Sequence, residues 1–197
     1  MKKQMIAYIA ILVVIVVAIT IFFSTRTDTV NNQTDLTKIQ DEFNLDIIVN
    51  LGNFSKTEYD EEKLLDVAMQ LAEKNNLFNE FSDETTFIQY VSREDLHSII
   101  RDFTDIELES PIEIEDFYYL YDSENDYYYY RPASPSYFKV DSITSTKIHK
   151  DNYDIKCVIS ETIDSETVNI TDVSLSITSC PENNWIKYRV NEISLVK

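Results

Sequence analysis

The chain has 197 residues, and its 17 Lys and Arg against 35 Asp and Glu leave a formal net charge of −18. That acidity excludes a nucleic-acid binder and a protein that clings to an anionic membrane surface, since both targets would repel it. With 44% apolar residues, 10 Phe and 13 Tyr it is too hydrophobic for disorder, and its one glycine, Gly52, excludes a G-x-G-x-x-G turn, a P-loop and a G-x-S-x-G elbow.

Residues 1–4, with Lys2 and Lys3, precede Met5–Phe23, a run of nineteen residues that contains no charge. At helical rise such a run spans about 29 Å, close to the hydrocarbon thickness of a bilayer. It is predicted to be a transmembrane helix, because in lipid the backbone has no other hydrogen-bond partner. The lysines on its amino-terminal side place the N-terminus in the cytoplasm and the C-terminal domain outside the cell. The run closes as Phe22-Phe23-Ser24-Thr25-Arg26, without a small-residue cleavage pattern, and no Cys follows it closely. It therefore reads as an uncleaved anchor rather than a signal peptide or a lipid-attachment site. The exported part keeps 15 basic and 35 acidic residues, a charge of −20.

Residues 24–37 are polar and lack apolar periodicity, so they read as a tether, and residues 38–197 read as one extracytoplasmic domain. Within it, Leu45, Ile47, Ile48, Val49 and Leu51 fit a short strand or an irregular packing segment. A helix is predicted over 58–76, with Leu64, Ala68, Leu71 and Ala72 on one face and acidic residues at its start. After a brief extended link at 87–91, Ser92 to Asp95 resembles a capping box and opens a helix over 93–103 with the stripe Leu96, Ile99, Ile100 and Phe103. From Glu107 the period becomes alternating. A hairpin is predicted from 114–121 and 127–131 about the turn Asp122–Asp126, and strands at about 137–149, 153–163, 166–179 and 185–196. Two helices followed by a meander give the α+β class, with helices packed on one antiparallel sheet. With glycine so scarce, the turns are expected to rely on Asn, Asp and Ser.

No catalytic, cofactor-binding or metal-binding residue is assigned. His97 and His149 lie in different elements without metal-ligand spacing, and His97 is expected on a helix surface. Asp122, Glu124 and Asp126 alternate like the start of a calcium loop, but Tyr127 stands where Gly is needed and Ala133 where Glu is needed. An acidic turn is the better account. A Cys157–Cys180 disulfide is not expected: in a hairpin about Ser165, Cys157 falls opposite Thr171–Val173, far from Cys180. Tyr118, Tyr119, Tyr121, Tyr127, Tyr128, Tyr129 and Tyr130 put seven phenols on one hairpin. Alternation sends about half to each face, and the exposed half is a candidate binding face for a protein partner.

The order of the 58–76 helix, FIQYVSREDLHSIIRDF, the hairpin DFYYLYDSENDYYYY and the closing WIKYRVNEISLV resembles small extracytoplasmic proteins of clostridia and related Gram-positive bacteria. The resemblance implies a single N-terminal anchor and a cone-shaped, cystatin-like (nuclear-transport-factor-two-like) domain in which a curved sheet wraps a helix. Members of that fold range from enzymes to interaction modules, so the resemblance carries no activity. Enzymatic branches use an Asp–His or Asp–Arg arrangement in the pocket, and no such pair is assigned here. Three functions follow as expectations: a non-catalytic interaction or ligand-sensing domain on the outer cell face, an assembly subunit of a conjugation or secretion machine, or an enzyme with an acid–base pair in the cone pocket. The lipid bilayer is the one partner that the sequence names.

Overall fold

The computed structural model describes residues 28–30, 33–83, 86–113, 119–130, 137–163, 166–183 and 185–196. The run Met5–Phe23 and Tyr118 lie outside these residues, and among the described ones no helix is long and apolar enough to cross a membrane. The elements in chain order are β1 (Asp28–Val30), α1 (Gln33–Glu42), α2 (Leu45–Ile48) continued by a 3-10 turn (Val49–Leu51), β2 (Phe54–Ser55), α3 (Glu61–Lys74), β3 (Asn79–Asp83), β4 (Thr86–Ser92) and α4 (Arg93–Thr104). Six strands follow: β5 (Tyr119–Asp122), β6 (Tyr127–Tyr130), β7 (Tyr137–His149), β8 (Asn152–Ile163), β9 (Glu166–Ser179) and β10 (Tyr188–Val196). The α+β class holds, with every described strand pair antiparallel.

The expected single sheet is instead two. Six strands in the order β1-β7-β8-β9-β10-β2 form the large sheet, and four in the order β3-β4-β6-β5 form a small one. The predicted hairpin pairs with β4, the segment read as a brief extended link, and so leaves the meander. The Leu45–Leu51 segment is helical rather than extended, because its apolar residues recur at helical spacing, leaving Leu45, Ile48, Val49 and Leu51 all buried. Part of the stretch read as a tether carries regular structure: Asp28–Val30 pairs with Thr146–Ile148 of β7, and α1 starts at Gln33.

The two predicted helices form for the reasons their sequences give. The Asp60 carboxylate accepts the amides of Glu62 and Lys63 at the start of α3, and Leu64, Leu65, Val67, Ala68, Met69, Leu71 and Ala72 are buried along it. At the start of α4, Ser92 Oγ accepts the Asp95 amide at 3.1 Å and donates to the Asp95 carboxylate at 2.6 Å. Asp95 stands where a capping box has Glu, and its carboxylate takes the Ser92 hydroxyl instead of the Ser92 amide. Leu96, Ile99, Ile100 and Phe103 of α4 are fully buried. One continuous core joins these stripes to Val140, Ile155, Ile159, Leu175, Ile177 and Val190 of the large sheet and to Val91 and Tyr128 of the small one. The helix α4 contacts both β10 and β4 and so bridges the two sheets.

Side chains finish what the strands leave open. The Phe138 and Val140 amides of β7 donate to Asn50 Oδ1 (2.9 Å) and Asp46 Oδ1 (2.8 Å), so the α2 region serves as the missing neighbour at that end of β7. Turns rely on Asn and Asp as expected: Asn44, Asn76, Asp105 and Asp126 all hold positive φ, joined by Lys150. Gly52 sits at φ 67°, ψ −136° after the 3-10 turn, a conformation open to glycine and strained for any side chain.

Candidate functional site

The hairpin register is Tyr119↔Tyr130, Leu120↔Tyr129, Tyr121↔Tyr128 and Asp122↔Tyr127. Directly opposed residues share a face, so the seven tyrosines divide instead of forming one surface. Tyr128 is fully buried, its hydroxyl accepts the Ile112 amide at 2.8 Å, and burial pushes the phenol up to about 12. Tyr121 packs beside it at 5.0 Å, and Tyr130 stacks on Phe78 at 5.7 Å with rings 16° apart. These three belong to the inner side. Tyr127 and Tyr129 are on the outer side, both against Tyr90 of β4, at 5.1 and 6.0 Å between ring centroids. Leu120, 54% exposed, stands opposite Tyr129 on that same side. Only the backbone of Tyr119 is described, and Tyr118 lies outside the described residues. The outer face is thus Leu120, Tyr127 and Tyr129 with Tyr90 added from another strand. Sequence reasoning missed Tyr90, although its place in the alternating Phe87–Val91 stretch was a usable signal once that stretch is read as a strand.

The hairpin turn is built by its carboxylates. Asp122 Oδ1 accepts the amides of Glu124 (2.9 Å) and Asn125 (3.2 Å), and its other oxygen takes the Asn125 side chain at 2.7 Å. Those bonds, the Asn125 side chain first, hold the Asp122 carboxyl below its usual range. Among the described residues no group of three or more His, Cys, Asp or Glu side chains is arranged to hold a metal ion.

At the other end of this turn Asp126 brings together residues the sequence keeps apart. Its Oδ1 accepts the Tyr121 hydroxyl at 2.6 Å and Arg93 Nε at 2.8 Å, and its carbonyl accepts the Arg93 amide at 3.1 Å. The Tyr121 bond, with Arg93 next, lowers the Asp126 carboxyl, and the same bond raises the Tyr121 phenol. Arg93, His97 and Arg101 recur every fourth residue of α4 and with Glu94, Ser98, Leu108 and Asp126 line a surface cleft of about 420 Å³. Ser98 Oγ accepts both Arg101 Nη2 and the Trp185 indole Nε1, each at 3.0 Å. Burial and then the Arg93 charge lower the His97 imidazole, against the opposing pull of the Leu108 backbone bond and of Asp126. His97 Nε2 is buried with no hydrogen-bond partner.

An Asp, two Arg and a His therefore meet where the sequence offered no such constellation. Asp126 Oδ1 is taken by Arg93 and Tyr121, and among the described residues neither nitrogen of His97 is bonded to a carboxylate.

The cysteines are apart and free. Cys157 pairs with Val173 across β8 and β9, within the span the hairpin reading gives, and burial pushes its thiol up to about 12. Cys180 is buried just beyond β9, where its amide donates to the Lys187 carbonyl. A second groove, of about 330 Å³, crosses the large sheet among Ser145, Ser174, Ser176 and Ser194. Compared with family models, curated proteins and solved structures, the chain matches none.

Proposed function

We propose that this chain is a single-pass membrane protein that presents an acidic, non-catalytic interaction or ligand-sensing domain on the outer cell face. The uncharged run Met5–Phe23 after Lys2 and Lys3 supports the placement. A cone-like, cystatin-like form is the finer reading of the fold, supported by the four long strands β7 to β10 lying against helices; the small sheet is an addition to that form.

The observation that carries the interaction reading is the outer face of the small sheet. Tyr90, Tyr127 and Tyr129 are only half-buried, in mutual contact, and flanked by an exposed Leu120. Preassembled phenols offer a partner apolar area and hydroxyls at a low cost in side-chain entropy. A photoreactive phenylalanine analogue placed at Leu120 is expected to yield a discrete heavier adduct on intact cells, and one placed at the exposed Lys139 of the large sheet none. No adduct at Leu120, or equal adducts at both, contradicts the reading.

The alternative, an acid–base enzyme, has suitable residue types in the α4 cleft. There Asp126 carries the Arg93 and Tyr121 bonds on Oδ1 and its carboxyl is lowered, which makes it a weak base.

A further inference from the structure

The cleft on α4 has hydrogen-bond donors that no described residue uses. Ser98 Oγ already accepts two hydrogen bonds, from Arg101 and from Trp185, which fills both lone pairs. Its own hydrogen is then left to donate, and no hydrogen bond from it to a described residue is formed. Among the described residues Arg101 makes one bond, to Ser98, and has no carboxylate partner, so most of its guanidinium fork is open there. Arg93 differs: Asp126 neutralises it and holds it in place. His97 also lines the cleft, but with its other nitrogen bonded to the Leu108 backbone, Nε2, without a partner among the described residues, is an acceptor in the neutral ring and offers an anion no donor. Leu108 supplies an apolar wall, and the volume of about 420 Å³ is that of a small-molecule site.

We propose that this cleft binds a small oxyanion, a carboxylate or a phosphate, gripped by the Arg101 guanidinium and the Ser98 hydroxyl beside His97. An oxyanion brings several acceptor oxygens and no donor, which suits the planar Arg101 fork and the Ser98 hydroxyl; of the two carboxylates that also line the cleft, Asp126 is neutralised by Arg93, which leaves Glu94 to oppose an anion. The −18 charge of the chain opposes the binding of any anion. At physiological salt, however, exposed charges beyond about 8 Å are largely screened, so the local pair decides. This inference rests on the ligand-sensing branch of the proposed function and names its ligand class.

The protein carries its own reporter. Trp185 is the one tryptophan in the chain, and its indole N–H donates into the cleft at Ser98. The full chain in nonionic detergent is titrated with succinate and, separately, with inorganic phosphate, at constant ionic strength made up with sodium chloride. The indole N–H resonance and the tryptophan fluorescence are expected to shift saturably with at least one of the two, and which one distinguishes carboxylate from phosphate. Arg101→Gln should weaken that binding roughly tenfold or more, while Lys139→Gln on the large sheet leaves it unchanged. Arg101 is exposed and bonded to a single hydroxyl, so the variant keeps the fold. A shift that does not saturate with either anion, or one that both variants weaken equally, overturns the proposal. The Leu120 crosslink uses no added anion and reads the outer face of the small sheet, away from Ser98 and Arg101 of α4, so either result can fail alone.

Discussion

Gly52 shows how one backbone position can rule out functions and also hold a fold. Its scarcity excludes three nucleotide and nucleophile loops, and its φ of 67° with ψ −136° closes the 3-10 turn. A Cβ there meets only the flexible end of Lys63, at 3.0 Å from Nζ, so the penalty for Gly52→Ala is conformational rather than a clash. It should cost about 1–3 kcal/mol, read as a lower urea midpoint with an unchanged slope. His97 gives the second residue-scale expectation. Its folded pKa lies below the ordinary histidine value of 6.5, chiefly through burial, so the unfolded chain binds the proton more readily. The stability it adds is complete above about pH 6.5 and is lost as the pH falls below that. Lowered Asp105, Asp122 and Asp126 lose theirs only as the pH falls through about 3.8 and below. Chemical unfolding between pH 7 and 5 should therefore show a decline that flattens in His97→Asn.

At the scale of elements, what was legible was what is local. The stripes of α3 and α4, the Ser92 cap and the β8–β9 register all rest on residues close in sequence, and β7 begins and ends where the Tyr137–His149 alternation does. Replacing Ser92 by Ala should destabilise the protein by about 1 kcal/mol, because the Asp95 amide loses its acceptor. The pairing of β6 with β4 was illegible, since alternation fixes which residues share a face and not which strand lies alongside. That missing pairing is also why the outer aromatic face was drawn without Tyr90. The α2 segment was misread because Leu45–Ile48, four residues with Asp46 among them, is too short to tell helix from strand by period. The cleft was hidden for a related reason: Arg93 and Asp126 lie 33 positions apart and meet only because the hairpin turn folds back on the start of α4.

In the whole molecule, α4 is the joint between a large sheet and a small one, and each sheet has a different role to offer. The large sheet gives α4 its purchase: Arg189 of β10 and Lys56 beside β2 both pair with Asp105 at the end of α4, at 3.1 and 2.6 Å. These pairs are exposed and add little stability individually, but they fix where α4 ends. The small sheet carries the aromatic outer face, and the turn at its end closes the cleft through Asp126. Both candidate surfaces thus belong to an acidic domain whose proposed use depends on being held outside the cell by Met5–Phe23. That placement is tested most directly by fractionating cells that make the full chain and treating the intact cells with protease. The full-length chain should sediment with the membrane, and external protease should remove everything after about residue 25. A soluble secreted form that begins near Ser24, or a domain that intact cells protect from the protease, would contradict it.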